Sequence, residues 1–128
     1  MNKINFFVVA DNAEVRGGKI YIEGIFDSIN SNNYPAKHRS FIIAINFEIV
    51  PGRHSHSFII KNDVQDIIKS PTFDFDVLPN STRHQFLHRV NDLPIPKEGK
   101  YIVEAYVDDK LIGETYFIAK TTSQSNYA

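Results

Sequence analysis

The stretch "SFIIAINFEIV", residues 40–50, decides the fold class of this chain. Its large apolar side chains occupy every second position: Phe41, Ile43, Ile45, Phe47 and Ile49. Because successive side chains of a β-strand point to opposite faces of the sheet, this spacing places all of them on one face. A helix would instead bring together residues three or four positions apart. The stretch therefore predicts a long strand with one buried face.

Similar runs precede and follow this stretch. The run Ile4–Ala10 is apolar apart from Asn5, as expected of a strand that is covered on both faces. Six further runs alternate apolar and polar residues, at 19–26, 56–61, 70–79, 84–90, 100–107 and 111–119. Strands at this spacing, with turn residues between them, predict an all-β protein. We expect an antiparallel two-sheet sandwich, or a barrel, of about seven to nine strands.

Two segments depart from this alternation. Residues 27–39 are rich in Asn and Ser and predict a long polar loop, whereas "DVQDIIK", residues 63–69, is the candidate for a short helix. We expect a single β-sandwich domain over residues 1–120 and a flexible polar tail over residues 121–128.

Composition limits the partners and compartments to consider. The 128 residues include 14 basic and 15 acidic side chains, and this net charge of −1 argues against a nucleic-acid-binding protein. The sequence contains no cysteine, which excludes disulfides and thiolate chemistry and fits a reducing compartment. The apolar run near residue 4 is too short to span a membrane. We therefore expect a cytoplasmic protein that binds neither nucleic acid nor membrane.

The dipeptide Gly17-Gly18, followed by Lys19, raises the question of a phosphate-binding loop. Such a loop joins a strand to a helix, whose free N–H groups bind the anion, and it carries an earlier glycine that is missing here. In this chain the two glycines lie between two predicted strands. They therefore predict a chain reversal in which glycine supplies a positive φ.

Four of the five histidines form two close pairs, His54 with His56 and His84 with His88, and each pair shares one strand face. Zinc requires three or four converging ligands, so these pairs would form a site only if their strands were neighbours. The favoured interpretation is structural. We expect His54 and His56 to be solvated beside the Pro51-Gly52 turn and His88 to be a partly buried, hydrogen-bonded ring. We therefore expect no metal and no cofactor, and these four histidines are the candidate ligands if a metal binds.

Acidic residues offer two other kinds of site. Asp74 and Asp76 alternate with phenylalanines and share a face at a separation of about 7 Å, which suits the paired acids of glycosidases. The alternative interpretation is that these acids only keep one face of an antiparallel strand polar and exposed to solvent. Calcium would require the acids of the predicted connections to gather at one end of the sandwich. Those acids are Asp27, Asp63, Asp66, Asp108 and Asp109. We interpret both sets as solvated charges.

Aromatic residues outside the expected core predict an interaction surface. The alternation places six of the larger apolar residues on outer strand faces: Tyr21, Tyr106, Tyr116, Ile25, Ile112 and Ile118. Tyr34 is the aromatic residue of the polar loop, whose composition is typical of adaptable recognition loops. A continuous apolar strip marks a contact surface, whereas isolated strand tyrosines only support cross-strand neighbours. We predict that the surface consists of Tyr21, Tyr34, Tyr106 and Tyr116.

Both ends of the chain show a family resemblance. The segment "ADNAEVRGGKIYIEG", residues 10–24, resembles the opening of an uncharacterised bacterial family of small single-domain β-sandwich proteins. The segment "LPIPKEGKYIVEAYVDDKLIGETYFI", residues 93–118, resembles that family's ending and the last hairpin of immunoglobulin-like domains. The resemblance implies an immunoglobulin-like sandwich in which Tyr101 is similar in placement to the tyrosine corner. It implies no activity.

Three functional hypotheses follow. The leading one is a non-enzymatic binding or assembly module whose partner is an unknown protein or a second copy of the chain. The second is a metal protein or enzyme built on the four paired histidines. The third is a β-sandwich that binds a small ligand, either a sugar or a lipid, in an aromatic-lined pocket.

Overall fold

The computed structural model describes residues 3–122, which form ten strands and no helix within that range. The strands are β1 (Lys3–Arg16), β2 (Lys19–Ile25), β3 (Ser28–Ser31), β4 (Ala36–Glu48), β5 (Gly52–Lys61), β6 (Asp66–Lys69), β7 (Phe73–Val77), β8 (Arg83–Ile95), β9 (Gly99–Val107) and β10 (Lys110–Thr121). The prediction of an all-β protein is confirmed. The strand number exceeds the expected seven to nine because β3 and β6 lie in segments without alternation.

The strands form two sheets. One has the order β2-β1-β4-β8, and the other has the order β3-β10-β9-β5-β6, with β7 also paired to β5. Within residues 3–122 the paired strands are antiparallel except for β3 and β10, which run parallel. The predicted loop over residues 27–39 was therefore too long. Its first part joins the sheet edge, because Ile29 packs against the core while the backbone of β3 pairs with β10.

The core lies between the sheets in two clusters, and the face predicted from residues 40–50 lies inside it. Phe41 and Ile43 belong to a cluster that also contains Tyr101 and Phe117. The other residues of that face belong to a second cluster: Ile45, Phe47 and Ile49, together with Phe75, Val77, Ala105 and Val107. The period-two alternation therefore predicted the buried face correctly.

The predicted helix over residues 63–69 is wrong. The Asn62 Oδ1 atom accepts hydrogen bonds from the backbone N–H groups of Val64 and Gln65, each at 2.9 Å. This side chain closes a turn, since Asn competes with helical backbone bonding for the same N–H groups. The chain then enters β6, which pairs with β5.

Two short turns close hairpins, and the one at Gly17-Gly18 confirms its prediction. Gly17 and Gly18 have φ values of 56° and 75°, and Arg16 pairs with Lys19 across them. These are the left-handed conformations of a two-residue hairpin turn, in which glycine is favoured. Asp108 and Asp109 adopt the same kind of conformation between β9 and β10, with φ values of 52° and 63°.

Tyr101 ties its strand to the preceding connection. Its hydroxyl donates to the Lys97 carbonyl at 2.7 Å and lies 3.2 Å from the Lys97 N–H, which donates to it. This is the backbone contact that the tyrosine-corner resemblance implied. At the other end of the described range, β10 includes Thr121, and the Thr122 N–H donates to the Ser31 carbonyl at 2.9 Å. The first two residues of the predicted tail are therefore ordered by β3, and residues 123–128 lie outside the described residues.

Candidate functional site

His54 lies near the start of β5 and is held by two acceptors. Its Nδ1 atom is 2.7 Å from Asp108 Oδ2, and its Nε2 atom is 2.8 Å from the Val50 carbonyl oxygen. Both ring nitrogens must donate to these partners, so the geometry favours the charged imidazolium. The hydrogen bond from His54 to Asp108 raises the pKa of His54 and lowers the pKa of Asp108. His54 therefore has no nitrogen available for a metal or for general-base chemistry.

His56 and His88 meet between the two sheets. The His56 Nδ1 atom is 2.9 Å from the Tyr106 carbonyl oxygen, so it carries the proton, and its Nε2 atom is 2.8 Å from His88 Nε2. In the neutral pair His88 therefore donates and His56 accepts. Burial lowers the pKa of both rings, and it lowers that of His88 to about 4, with His56 adding to the effect. The pair is neutral at neutral pH.

The expectation that His54 and His56 are solvated was wrong, since the His54 side chain is only 10% exposed and both of its ring nitrogens bond within the protein. His56 is buried more deeply. Its exposed fraction is only 1%, because the alternation of β5 turns the ring inward. The ring stacks on Phe86 with a centroid distance of 4.4 Å. The expectation of a partly buried, hydrogen-bonded His88 agrees with the structure. His84 lies along the same strand and stacks on Phe75 at 4.4 Å, and burial lowers its pKa.

The four histidines therefore do not converge on one point. His54 is bonded at the β9–β10 turn, His56 is bonded to His88, and His84 packs on a phenylalanine. Between residues 3 and 122, no three His, Asp or Glu side chains are arranged so that they could bind one metal ion. The zinc hypothesis consequently has no ligand set in the described chain, since zinc requires at least three protein ligands.

A groove of about 450 Å³ opens beside the His56–His88 pair. It lies between β8 and the connection from β6 to β7, and its apolar lining includes Phe58, Ile68, Phe73 and Val90. His88 is the imidazole that lines it. Volumes of this order are typical of small-molecule sites with apolar walls and few polar groups.

The other acidic candidates are engaged at the surface. Asp74 and Asp76 both contact the guanidinium of Arg53, at 3.5 and 3.4 Å, and all three side chains are largely exposed. Asp63 forms an ion pair with Lys97 at 2.8 Å. Such exposed pairs contribute little to stability and do not enclose a reaction site. These acids are consistent with the interpretation as solvated charges.

The four predicted surface tyrosines do not share one surface. Tyr106 and Tyr116 lie on the outer face of the second sheet, but Glu104, which accepts a 2.9 Å hydrogen bond from the Tyr106 hydroxyl, lies between them. Tyr34 is half-buried against the first core cluster, and its hydroxyl donates to the Lys120 carbonyl. Tyr34 therefore anchors the connection to the core. Tyr21 lies on the other sheet.

Ile112 also departs from its expected outward position. It packs against the second core cluster, because a bulge between Leu111 and Gly113 shifts the register of β10 against β9. A bulge adds one residue to a strand, so residues on its two sides no longer follow one alternation. The predicted strip of outward Tyr and Ile residues is interrupted at this point.

The hairpin of β1 and β2 forms a different surface, at one edge of the four-stranded sheet. The first half of β1 pairs with β4 up to Ala10, whereas its second half, from Ala10 to Arg16, pairs with β2. We call residues 11–23 the ribbon. One of its faces is apolar and consists of two cross-strand pairs. Ala13 lies opposite Ile22, and Val15 lies opposite Ile20. Within the described residues, these four belong to neither core cluster.

The other face of the ribbon is polar and aromatic. The Arg16 guanidinium lies 4.0 Å from the centroid of the Tyr21 ring and forms a 2.9 Å ion pair with Glu14. Tyr21 is 41% exposed. The alternation of residues 19–26 predicted the exposure of Tyr21 correctly. The polar pair Asp11-Asn12 follows the apolar run of β1 at the point where β1 stops pairing with β4.

Comparison with solved structures shows the fold alone, because the identities are low. The chain is similar to Pseudomonas fluorescens alkylpurine DNA glycosylase AlkC bound to DNA containing an abasic site analog, with a TM-score of 0.56, 12% identity, and coverage of 93% of this chain and 30% of that one. It is also similar to a β-glucosidase from Listeria innocua in complex with glucose, with a TM-score of 0.53, 6% identity, and coverage of 94% and 16% respectively. The chain thus spans less than a third of either protein.

Sequence comparison identifies the family. No curated protein matches the chain. The family of unknown function DUF6941 matches residues 5–120, which is most of the chain. The match confirms the resemblance to an uncharacterised family that both ends of the sequence indicated. This chain therefore belongs to the family of unknown function DUF6941.

Proposed function

We propose that this protein is a non-enzymatic binding or assembly module that acts through protein–protein contacts. The observation that carries the proposal is the apolar face of the ribbon, which lies outside both core clusters of the described chain. Val15 on this face is 55% exposed, whereas Ala13, Ile20 and Ile22 are partly buried. Neighbouring apolar side chains outside the core are typical of a contact surface.

The hydrogen bonding of the histidines supports a role without catalysis. His54 and His56 each use both ring nitrogens within the fold, so neither offers a free lone pair as a general base. The exposed acids Asp74 and Asp76 share one arginine instead of facing a cleft. These four residues are thus engaged in contacts within the fold.

The proposal extends to the fold and the partner. The contact of Tyr101 with Lys97 supports an immunoglobulin-like arrangement of the two sheets. A protein partner, and not a nucleic acid, is supported by the net charge of −1. A cytoplasmic location, supported by the absence of cysteine from the sequence, stays a prediction.

A comparison of two double variants tests the proposal. Ile20→Thr/Ile22→Thr makes the ribbon face polar while it keeps β-branched residues, so the hairpin still forms. Val64→Thr/Leu78→Thr makes a similar change at two exposed positions outside the ribbon. Protein–protein association, measured by cross-linking and sedimentation with purified or extract proteins, should decrease with the first variant and persist with the second. Association that both variants retain equally would contradict the proposal.

The groove beside His88 supports a second candidate function, the binding of a small apolar ligand such as a lipid or a sugar with an apolar face. The supporting observation is its volume of about 450 Å³ and its lining by Phe58 and Phe73. Thermal unfolding in the presence of fatty acids and monosaccharides tests it. A ligand that raises the melting temperature of the wild type but not of Phe73→Ala would support this function, and no shift with any of them would oppose it.

A further inference from the structure

We propose that the ribbon binds a second copy of this chain, through antiparallel pairing of the two β2 strands about a two-fold axis at Tyr21. This inference rests on the proposed function and names its partner. The pairing would join the two four-stranded sheets, edge to edge, into one continuous sheet. Two-fold contacts of this kind use the same patch on both copies, so the strand must be complementary to itself.

The edge of β2 is available for such pairing. In the described part of the chain, β2 pairs only with β1 and is the outermost strand of its sheet. Open strand edges are commonly protected by proline or by irregular backbone. The opposite edge of the sheet has both, because β8 contains Pro94 and holds Asp92 at a φ of 53°. The segment Lys19–Glu23 has neither.

The backbone geometry of the hairpin determines which residues face the open edge. In a hairpin closed by a two-residue turn, the pair beside the turn exchanges hydrogen bonds, and bonded and non-bonded pairs then alternate. Arg16 and Lys19 form the pair beside the turn, and Glu14 and Tyr21 form the next bonded pair. The N–H and C=O groups of Ile20 and Ile22 therefore point to the open edge. A register is therefore allowed only if the backbone N–H and C=O groups of Ile20 and Ile22 form hydrogen bonds with the second copy.

One allowed register places every side chain opposite a favourable partner. When Tyr21 faces Tyr21 of the second copy, Ile20 faces Ile22 twice and Lys19 faces Glu23 twice. Aromatic pairs, β-branched pairs and opposite charges are the cross-strand combinations that stabilise antiparallel sheets. The next allowed register, centred on Ile22, would put Lys19 opposite Ile25 and Tyr21 opposite Glu23. Charge and shape complementarity thus select the register at Tyr21 and a second copy as the occupant.

A cysteine at the two-fold axis tests the register directly. Because the chain has no cysteine, Tyr21→Cys can form a disulfide only between copies. Directly opposed residues of a non-bonded antiparallel pair lie about 4.5 Å apart at Cα, which is within disulfide reach. We expect rapid covalent dimer formation under mild oxidation. Tyr116→Cys, at an exposed position on the other sheet, is the matched control and should form little covalent dimer under the same conditions.

Charge exchange tests the same register without a cysteine. Lys19→Glu and Glu23→Lys each place like charges opposite each other twice, so each should weaken the dimer by about tenfold or more. An equimolar mixture of the two variants restores both opposite-charge pairs and should form a heterodimer. Light scattering over a dilution series measures all three samples. A mixture that is as monomeric as its components would overturn the inference.

The outcomes also separate this inference from the proposed function. If the wild type is monomeric and Tyr21→Cys does not cross-link, the dimer is excluded. In that case, loss of association with another protein in Ile20→Thr/Ile22→Thr would still support the binding module. If Tyr21→Cys does not cross-link and Ile20→Thr/Ile22→Thr also changes no association, both proposals fail.

Discussion

The Nε2 atoms of His56 and His88 lie 2.8 Å apart, so a hydrogen bond between two neutral imidazoles joins the facing sheets. His56 belongs to β5 and His88 to β8, and these strands are in different sheets. A buried polar pair of this kind is stable only while both rings stay uncharged, because a buried positive charge is costly. The bond therefore makes the sandwich sensitive to acid.

We predict that the free energy of unfolding falls as the pH drops from about 6.5 towards 4. Burial lowers the pKa of His88 from 6.5 to about 4, so the unfolded chain binds protons that the folded chain excludes. The stabilising contribution of neutral His88 is fully present at pH values above the pKa of His88 in the unfolded chain. It is lost as the pH falls towards the pKa of His88 in the folded chain. The loss attributable to His88 is up to about 3 kcal/mol. Urea unfolding at several pH values measures it.

His38 and His84 also have pKa values lowered by burial and contribute in the same direction. The double variant His56→Phe/His88→Phe isolates the contribution of the pair, because phenylalanine cannot be protonated. The stability of this variant should depend less on pH than that of the wild type over the same range. If the free energy of unfolding of the two proteins changes with pH in the same way, the His56–His88 pair is not responsible for the acid sensitivity.

His54 should behave in the opposite way. Its hydrogen bond to Asp108 raises its pKa, so its stabilising effect is present below 6.5 and is lost as the pH rises through the folded value. Asp108→Asn should bring the His54 pKa back towards its ordinary value and cost at most about 1 kcal/mol, since Asp108 is half exposed. An NMR titration of the imidazole measures the pKa. Asp109→Asn, beside it, is the control and should leave the titration unchanged.

Removal of the Tyr101 hydroxyl should destabilise the protein by about 1–3 kcal/mol. Tyr101→Phe keeps the ring, which stacks on Phe117 at 5.5 Å, but leaves the Lys97 carbonyl and N–H without their partner. Chemical unfolding gives the difference. Tyr116→Phe removes an exposed hydroxyl and should change the stability by a few tenths of a kcal/mol at most. Equal effects of the two substitutions would refute the role of this contact.

Gly24→Ala should cost more than Gly18→Ala. Both residues have positive φ, 69° and 75°, so each substitution pays a backbone cost of about 1–2 kcal/mol. At Gly24, however, an added Cβ would also lie 2.9 Å from the Asp11 Cγ atom, whereas at Gly18 nothing lies within 4 Å. Thermal unfolding should therefore rank the two variants. When Gly24→Ala is combined with Asp11→Ala, the loss of stability caused by the clash with Asp11 should disappear. The loss caused by the positive φ at residue 24 should remain.

The alternation of residues was a good guide wherever a strand stayed regular. It predicted the buried face from Phe41 to Ile49, the shared face of His84 and His88, and the turn at Gly17-Gly18. It failed at Ile112, where a bulge changes the face, and at the segment from residue 63, where the Asn62 side chain closes a turn. In both places one local contact overrides a periodic pattern.

The sequence by itself determined the all-β class, most of the strands and which side of each regular strand is apolar, because these follow from side chains that alternate along one extended backbone. Only the tertiary structure decided which apolar sides are covered. It brings His56 to His88 from 32 residues away, adds β3 beside β10, and leaves Ile20 and Ile22 outside both clusters of the described core. These are contacts between distant segments, and their geometry depends on how two sheets pack, which no local pattern encodes.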